Sequence, residues 1–530
     1  MRNSETSITA RGIWLALSGG GMRAALFHYG ALKRLYELGL LQDVSVISAA
    51  SGGALVAALV GLHGPFTKDE PENWLAFEKS LLTAATTGLL GPTMWSFSAW
   101  ICLLLSVVLG ILNLGLTFTI GGRPLIVHLF LTTFILSVTS LLLVGIGMRS
   151  DERSCGPGPQ PGRQHAIVPD PQFIIELKIY LIKRVRILFN TLLVQFDPGY
   201  VRWFYLNKLL FNGARMGDFK RNPKIFLCAS DLKNSRELVF TSKLIGEISR
   251  KGSRRLWGEH RYDIAGEEKL YVTVLGDGVP VATAVAASSA LPPVFAAVPI
   301  FVDGELVANC VDGGIVDNNA LNITRQMAKY ADEDHADSMG RTFANSVGHV
   351  LAIDATPPIA PDSRYFWLRS SIMLRIGDVL HSRQIHAFLE DLNDIQHLFK
   401  VSARAIALTT KPDETSPLSN PQVAIRAGKI RTHFDRFSRI ECVVLAYLGY
   451  YWANRWASSE YPDRRPFLET IPMRRVDDIL PTEFSPDTGT LSEEKILNHL
   501  KYSHLKMSFF RWALRSCGDF CASHEGEMQK

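Results

Sequence analysis

The chain has 530 residues, a net charge of only +5 and seven cysteines, which narrows the field before any motif is read. An odd number of cysteines at scattered spacings suits a reducing compartment. The basic excess accompanies no recognised nucleic-acid-binding module, so no nucleic acid partner is expected.

The first ten residues are polar and lack the apolar core of a signal peptide. Residues 13–17 form a short apolar run that reads as a buried strand, and 24–38 as the helix that follows. Between them lies Ser18-Gly19-Gly20-Gly21-Met22-Arg23-Ala24. Glycines there allow backbone N–H groups to approach a ligand oxygen closely. Residues 44–47 and 54–62 repeat the strand–helix pattern around Ala49-Ala50-Ser51-Gly52-Gly53. Strand, tight turn and helix is the setting of a nucleophile elbow, with the serine hydroxyl at the positive end of a helix. Both turns also suit an ordinary α/β domain, and Ala49 stands where the elbow pattern has its first glycine.

No Asp, Glu, Lys or Arg occurs between Lys79 and Arg123, or from Pro124 to Met148. Residues 101–120 and 125–146 are each long enough, as helices, to cross the ~30 Å hydrocarbon core of a bilayer. Gly121-Gly122-Arg123-Pro124 supplies a turn between them, and Trp95 and Trp100 fall where an interfacial belt is expected. The reading is a two-span transmembrane hairpin inserted in the catalytic domain, the alternative being two buried core helices. Two spans return the chain to its starting side. Arg149 and Arg153 after the second span, against Arg123 alone in the turn, favour a cytoplasmic catalytic domain.

Residues 150–171 are rich in Pro, Gly and Gln and read as a linker. From Lys178 to Lys224 there are ten Lys or Arg against two Asp, a local net charge of +8 that exceeds that of the whole chain. Beside a membrane anchor this segment suits an anionic lipid surface, and equally a solvated helix face.

Further on comes Val311-Asp312-Gly313-Gly314-Ile315-Val316-Asp317-Asn318-Asn319. A serine nucleophile needs a base, and a carboxylate serves when its surroundings suit its pKa to the task. An Asp-Gly pair is also a common turn, and Asp303-Gly304 is read as a plain hairpin.

These three segments together resemble the patatin-like phospholipase family, in its bacterial-type branch, over roughly residues 12–62 and 222–357. Residues 226–232 (FLCASDL) and 286–295 (AASSALPPVF) are similar to family stretches between nucleophile and aspartate. The resemblance implies a Ser51–Asp312 dyad without a catalytic histidine, and an oxyanion loop made of Gly19, Gly20, Gly21 and Arg23. It implies Gly52 and Gly53 as elbow residues, a membrane phospholipid or lysophospholipid ester as substrate, no cofactor and no metal. Arg23 is expected either to orient the loop or to meet a phosphate, and His28 to be packed rather than catalytic. The implied fold class is α/β: a three-layer patatin-like fold with a mainly parallel central sheet, interrupted by the hairpin and followed by a helical extension.

Domain organisation follows: 1–91 and 221–360 form the two parts of the catalytic domain. The hairpin occupies 92–149, a linker and basic segment 150–220, and a mainly helical extension 361–530. Just upstream of the extension, 347–355 reads as a buried strand; within it, 442–451 reads as a core or interfacial helix, too short to span a bilayer. Cys517 and Cys521 are four apart but have no second ligand pair. Two other functions stay open: an inactive lipid-binding scaffold, and an acyl hydrolase or transacylase acting on neutral glycerides.

Overall fold

The computed structural model describes residues 12–88, 206–248, 270–326, 347–356, 387–432, 436–462, 470–485 and 491–503, apart from a few isolated positions, together with Trp203 and Gln384. Both proposed spans, residues 1–10, the linker, the Asp303-Gly304 turn, most of the basic segment and Cys517 and Cys521 lie outside the described residues. Among those described, no helix is long and apolar enough to cross a membrane.

Strand β1 (Gly12–Leu17) is buried along nearly its whole length, because both faces of the sheet are covered. Ile13, Leu15 and Leu17 point into one apolar cluster, Trp14 and Ala16 into the other. That alternation is the two-residue period of a strand, and it makes three layers. Helices α1 (Gly21–Glu37), α2 (Gly52–His63) and α3 (Pro71–Thr87) supply the first face. Helical residues 387–398 cover the second through Phe388, Leu392 and Ile395.

The sheet is mixed rather than mainly parallel, which corrects the expectation. Strands β2 (Val44–Ala50), β3 (Lys224–Asp231), β9 (Val347–Asp354) and β10 (Ser402–Ala407) run parallel with β1 in the order β10-β9-β1-β2-β3. Beyond β3, strands β4 (Arg236–Phe240), β5 (Leu244–Ile248) and β6 (Leu270–Leu275) are antiparallel. For β4 and β5 the cause is connection length. Only residues 232–235 join β3 to β4, far too few for the crossover that parallel strands require. Strands β7 (Val298–Val302) and β8 (Glu305–Asp312) are likewise antiparallel, and flank the Asp303-Gly304 position.

Helix α4 (Val281–Ser288) precedes β7. Past residue 360 come α5 (Pro421–Gly428), α6 (Arg439–Glu460) and α7 (Glu493–Leu500). This part is not a separate helical layer, since β10 joins the central sheet and α6 packs along α1. The contact is close: a Cβ at Gly30 would lie 1.8 Å from the Ala446 carbonyl, and one at Gly449 2.0 Å from that of Phe27. Residues 442–451 are therefore core, not interface. A capping box, Ser438 and Glu441, starts α6.

Candidate active site

Strand β3 brings the two halves of the site together. Its Cys228 pairs with Ala50, the last residue of β2, and its next residue, Ala229, pairs with Asp312, the last residue of β8. The ends of β2 and β8 thus meet along one edge of β3, although 261 residues separate Ser51 from Asp312. The Ser51 hydroxyl donates to Asp312 Oδ2 at 2.8 Å.

Ser51 caps α2 with φ 50° and ψ −115°. A non-glycine residue held there costs about 1–3 kcal/mol, and such strain persists where the surroundings over-determine it. Those surroundings are visible. The Ser51 backbone N–H donates to Ser288 Oγ at 2.9 Å, and Ser288 Oγ donates to the Cys228 carbonyl at 2.6 Å. Gly52 and Gly53 leave no room for side chains: their Cβ atoms would lie 2.1 Å from the Gly21 carbonyl and 2.5 Å from that of Leu17. Ala49 sits fully buried in β2, paired with Leu17 and Leu227, so its methyl group is accommodated in the core.

Asp312 is held as firmly. Its Oδ1 accepts the Gly314 N–H at 2.8 Å, its own N–H donates to the Ala290 carbonyl at 3.0 Å, and its carbonyl accepts from Ser230 Oγ at 2.8 Å. Only 5% of Asp312 and 7% of Ser51 are exposed, so the pair sits in a mostly water-excluded recess. Ser230 and Ser288 lie within stretches singled out by resemblance, but nothing in the sequence gave them these roles.

The glycine loop lies against the nucleophile: a Cβ at Gly19 would be 3.2 Å from Ser51 Cβ. Its three glycines are not equivalent. The Gly19 N–H donates to the Asn318 carbonyl at 2.7 Å, so that donor is already used. Gly20 and Gly21, with φ +133° and +60°, open α1, where the first N–H groups have no partner inside the helix. Among the described residues neither has a backbone acceptor. Asn318 also donates through Nδ2 to Thr356 Oγ1 at 2.9 Å, tying the Asp312 turn to the end of β9.

Arg23 is buried and turned towards backbone, not towards an open phosphate site. Nη1 donates to the carbonyls of Gly428 and Ile430 at 2.8 and 3.0 Å, and Nη2 to that of Ala355 at 3.0 Å. Burial pushes its pKa down to about 10, partly opposed by Asp354, so it stays charged at neutral pH. His28 is fully buried, with Nε2 donating to the Ile353 carbonyl at 3.1 Å, and burial pushes its pKa down to about 3. A ring in that setting is packing, as expected. Among the described residues, no group of three or more His, Cys, Asp or Glu could hold a metal ion.

The model of the family described as patatin-like phospholipase matches residues 15–110 and 185–325. The crystal structure of VipD from Legionella pneumophila matches with a TM-score of 0.28 and 12% identity, over 85% of this chain and 67% of that one. Among curated proteins, none matches the chain.

Proposed function

Because the chain belongs to the patatin-like phospholipase family, whose members are lipid ester hydrolases, we propose that it cleaves fatty acyl esters of membrane phospholipids or lysophospholipids with a Ser51–Asp312 dyad. The observation that carries this reading is the 2.8 Å hydrogen bond from Ser51 Oγ to Asp312 Oδ2, at a strained elbow against a glycine loop.

In the first step Asp312 takes the Ser51 proton as Oγ attacks the ester carbonyl. The oxyanion is met by the N–H groups of Gly20 and Gly21. Donors fixed in this way each contribute about 3–4 kcal/mol to transition-state stabilisation. Collapse breaks the ester C–O bond, and the departing alcohol takes the proton back from Asp312. Water then gives its proton to Asp312 and attacks the acyl-enzyme; as the Ser51 Oγ–acyl bond breaks, Oγ takes that proton from Asp312, releasing the fatty acid and restoring Ser51 and the carboxylate.

The enzyme is proposed to be anchored by the 101–120 and 125–146 hairpin, with its catalytic domain on the cytoplasmic side. Two uncharged runs of spanning length support this. The +8 segment between Lys178 and Lys224 would then lie near anionic headgroups.

The test is fatty-acid release from mixed phospholipid micelles by the full-length protein, Ser51→Ala and Asp312→Asn. Release by the wild type alone is the expected result. Release that survives Ser51→Ala removes the nucleophile. Wild-type turnover confined to neutral glycerides moves the substrate class, and none on any ester, with lipid binding intact, leaves the scaffold.

A further inference from the structure

The oxyanion loop is backed by chain from beyond the family match. A Cβ at Gly21 would lie 1.5 Å from the Thr432 carbonyl oxygen, so the 428–432 segment runs directly against the loop backbone. The same segment supplies two of the three carbonyls that hold the Arg23 guanidinium, those of Gly428 and Ile430. Residues 428–432 therefore touch the loop twice, once by backbone and once through Arg23. Neither contact reaches Ser51 or Asp312.

Beside the Arg431 N–H bond to the Ser503 carbonyl at 3.2 Å, this segment is held by an ion pair in the core. Arg431 Nη1 and Glu441 Oε1 are 2.9 Å apart, with side-chain exposures of 1% and 0%. Arg431 Nη2 donates to the Arg436 carbonyl at 2.5 Å, and its guanidinium lies 4.3 Å from the centre of the Phe437 ring. Glu441 accepts through Oε2 from the Ser438 N–H at 2.8 Å, as the N-terminal cap of α6. Arg431 is thus pinned to the helix that packs along α1. A buried pair is weak evidence of net stability, since removing both charges often costs little, but breaking one partner is costly. Its evident effect is to fix where the 430–432 backbone lies.

We infer that Arg431 and Glu441 are positioning residues for ester hydrolysis, holding the 428–432 segment as the rear wall that sets where the Gly20 and Gly21 N–H groups stand. This rests on the acyl-hydrolase reading for its catalytic consequence, and on geometry alone for the wall. Displacement of a reacting group by roughly 1 Å costs about 10²-fold in rate, so a loosened wall is read in turnover rather than in substrate binding.

The experiment compares the full-length wild type with Arg431→Met, Arg431→Lys and Glu441→Gln. Turnover of a soluble short-chain ester is normalised to Ser51 labelled to completion by a phosphonate. Hydrogen exchange of the 18–26 segment is followed in parallel. The expected result is a fall of about 10²-fold in kcat for Arg431→Met with KM unchanged, a smaller loss for Arg431→Lys and Glu441→Gln, and faster exchange at 18–26 in the same order. Should Arg431→Met fail to fold, the two milder variants carry the comparison. Unchanged kcat per labelled site, with lowered thermal stability alone, overturns the proposal. Exchange needs no hydrolysis, so a wild type without esterase activity refutes the functional reading while the wall is still judged. Unaltered exchange at 18–26 in every variant overturns the wall itself.

Discussion

Ser288 holds the nucleophile by its backbone: the Ser51 N–H donates to Ser288 Oγ, which itself donates to the Cys228 carbonyl. One hydroxyl thus bridges α4, β3 and the elbow. Ser288→Ala leaves one buried donor and one buried acceptor unpaired, each costing about 1–3 kcal/mol. The elbow is the strained element nearby, so the strain would relax through Ser51. We expect Ser288→Ala to lower the unfolding free energy by about 2 kcal/mol or more and to slow ester turnover. Denaturant unfolding and initial rates check both. Full turnover in a destabilised protein would show the bridge to be structural only.

The part of this site legible in sequence is the part made by neighbours in the chain. The strand–turn–helix around Ser51 and that around Gly19 are short-range patterns, and the structure has β1, α1, β2 and α2 where they were expected. Asp312 was visible as a carboxylate at the end of an apolar run. The device that brings it to Ser51, consecutive residues of β3 pairing with two different strands, was not visible. No local pattern specifies a partner strand. The antiparallel half of the sheet was missed for a related reason, since apolar runs show strands but not their direction. Arg23 could not be assigned because its acceptors are backbone carbonyls 332 to 407 residues away, and a carbonyl has no sequence signature.

Those acceptors give Arg23 a test that separates two roles. Arg23→Met leaves three carbonyls without their donors, and buried unpaired groups cost about 1–3 kcal/mol each. A side chain that met the phosphate would change KM for phospholipid and leave an uncharged ester untouched. A clamp behind the loop affects both alike. We expect the same fold-loss in kcat on a phospholipid and on a neutral short-chain ester, with Arg23→Lys intermediate. A loss confined to the phospholipid would return Arg23 to the substrate.

Turnover should respond differently to changes at the elbow's Gly52 and at Ala49. A Cβ at position 52 meets the Gly21 carbonyl at 2.1 Å, a backbone atom that no side-chain rotation can move aside. Gly52→Ala therefore pushes the oxyanion loop from the nucleophile. Overpacking of this kind costs about 1–3 kcal/mol, and the displaced donors about 10²-fold in turnover. Ala49→Gly, which restores the usual elbow pattern, only frees a buried strand residue. It should cost about 0.5–1 kcal/mol and leave turnover as it was. Faster hydrolysis by Ala49→Gly would mean that the methyl group distorts the turn.

The acid limb of stability should belong largely to His28. Its pKa falls from an ordinary 6.5 to about 3 in the folded chain, because the fully buried ring cannot take a proton cheaply. Between those values the unfolded chain binds a proton that the native chain refuses. Stability is then fully present above pH 6.5 and is lost as the pH falls towards 3, by at most about 1.4 kcal/mol per unit. Asp391 works the other way. Its carboxyl is raised to about 6, chiefly by burial, so its contribution is fully present below 3.8 and lost as the pH rises through 6. Its side chain is largely buried and pairs with Arg325, and the Asp317 carboxyl, also raised by burial, acts in the same direction, so the two carboxyls offset part of the His28 slope. His28→Gln keeps a donor for the Ile353 carbonyl and removes the titration, while Asp391 is unchanged. Urea unfolding at pH 7, 6, 5 and 4 should show the wild type losing stability faster than His28→Gln, whatever the offset between them at pH 7. Parallel curves would place the acid sensitivity elsewhere, and with it the proton that His28 is held to exclude.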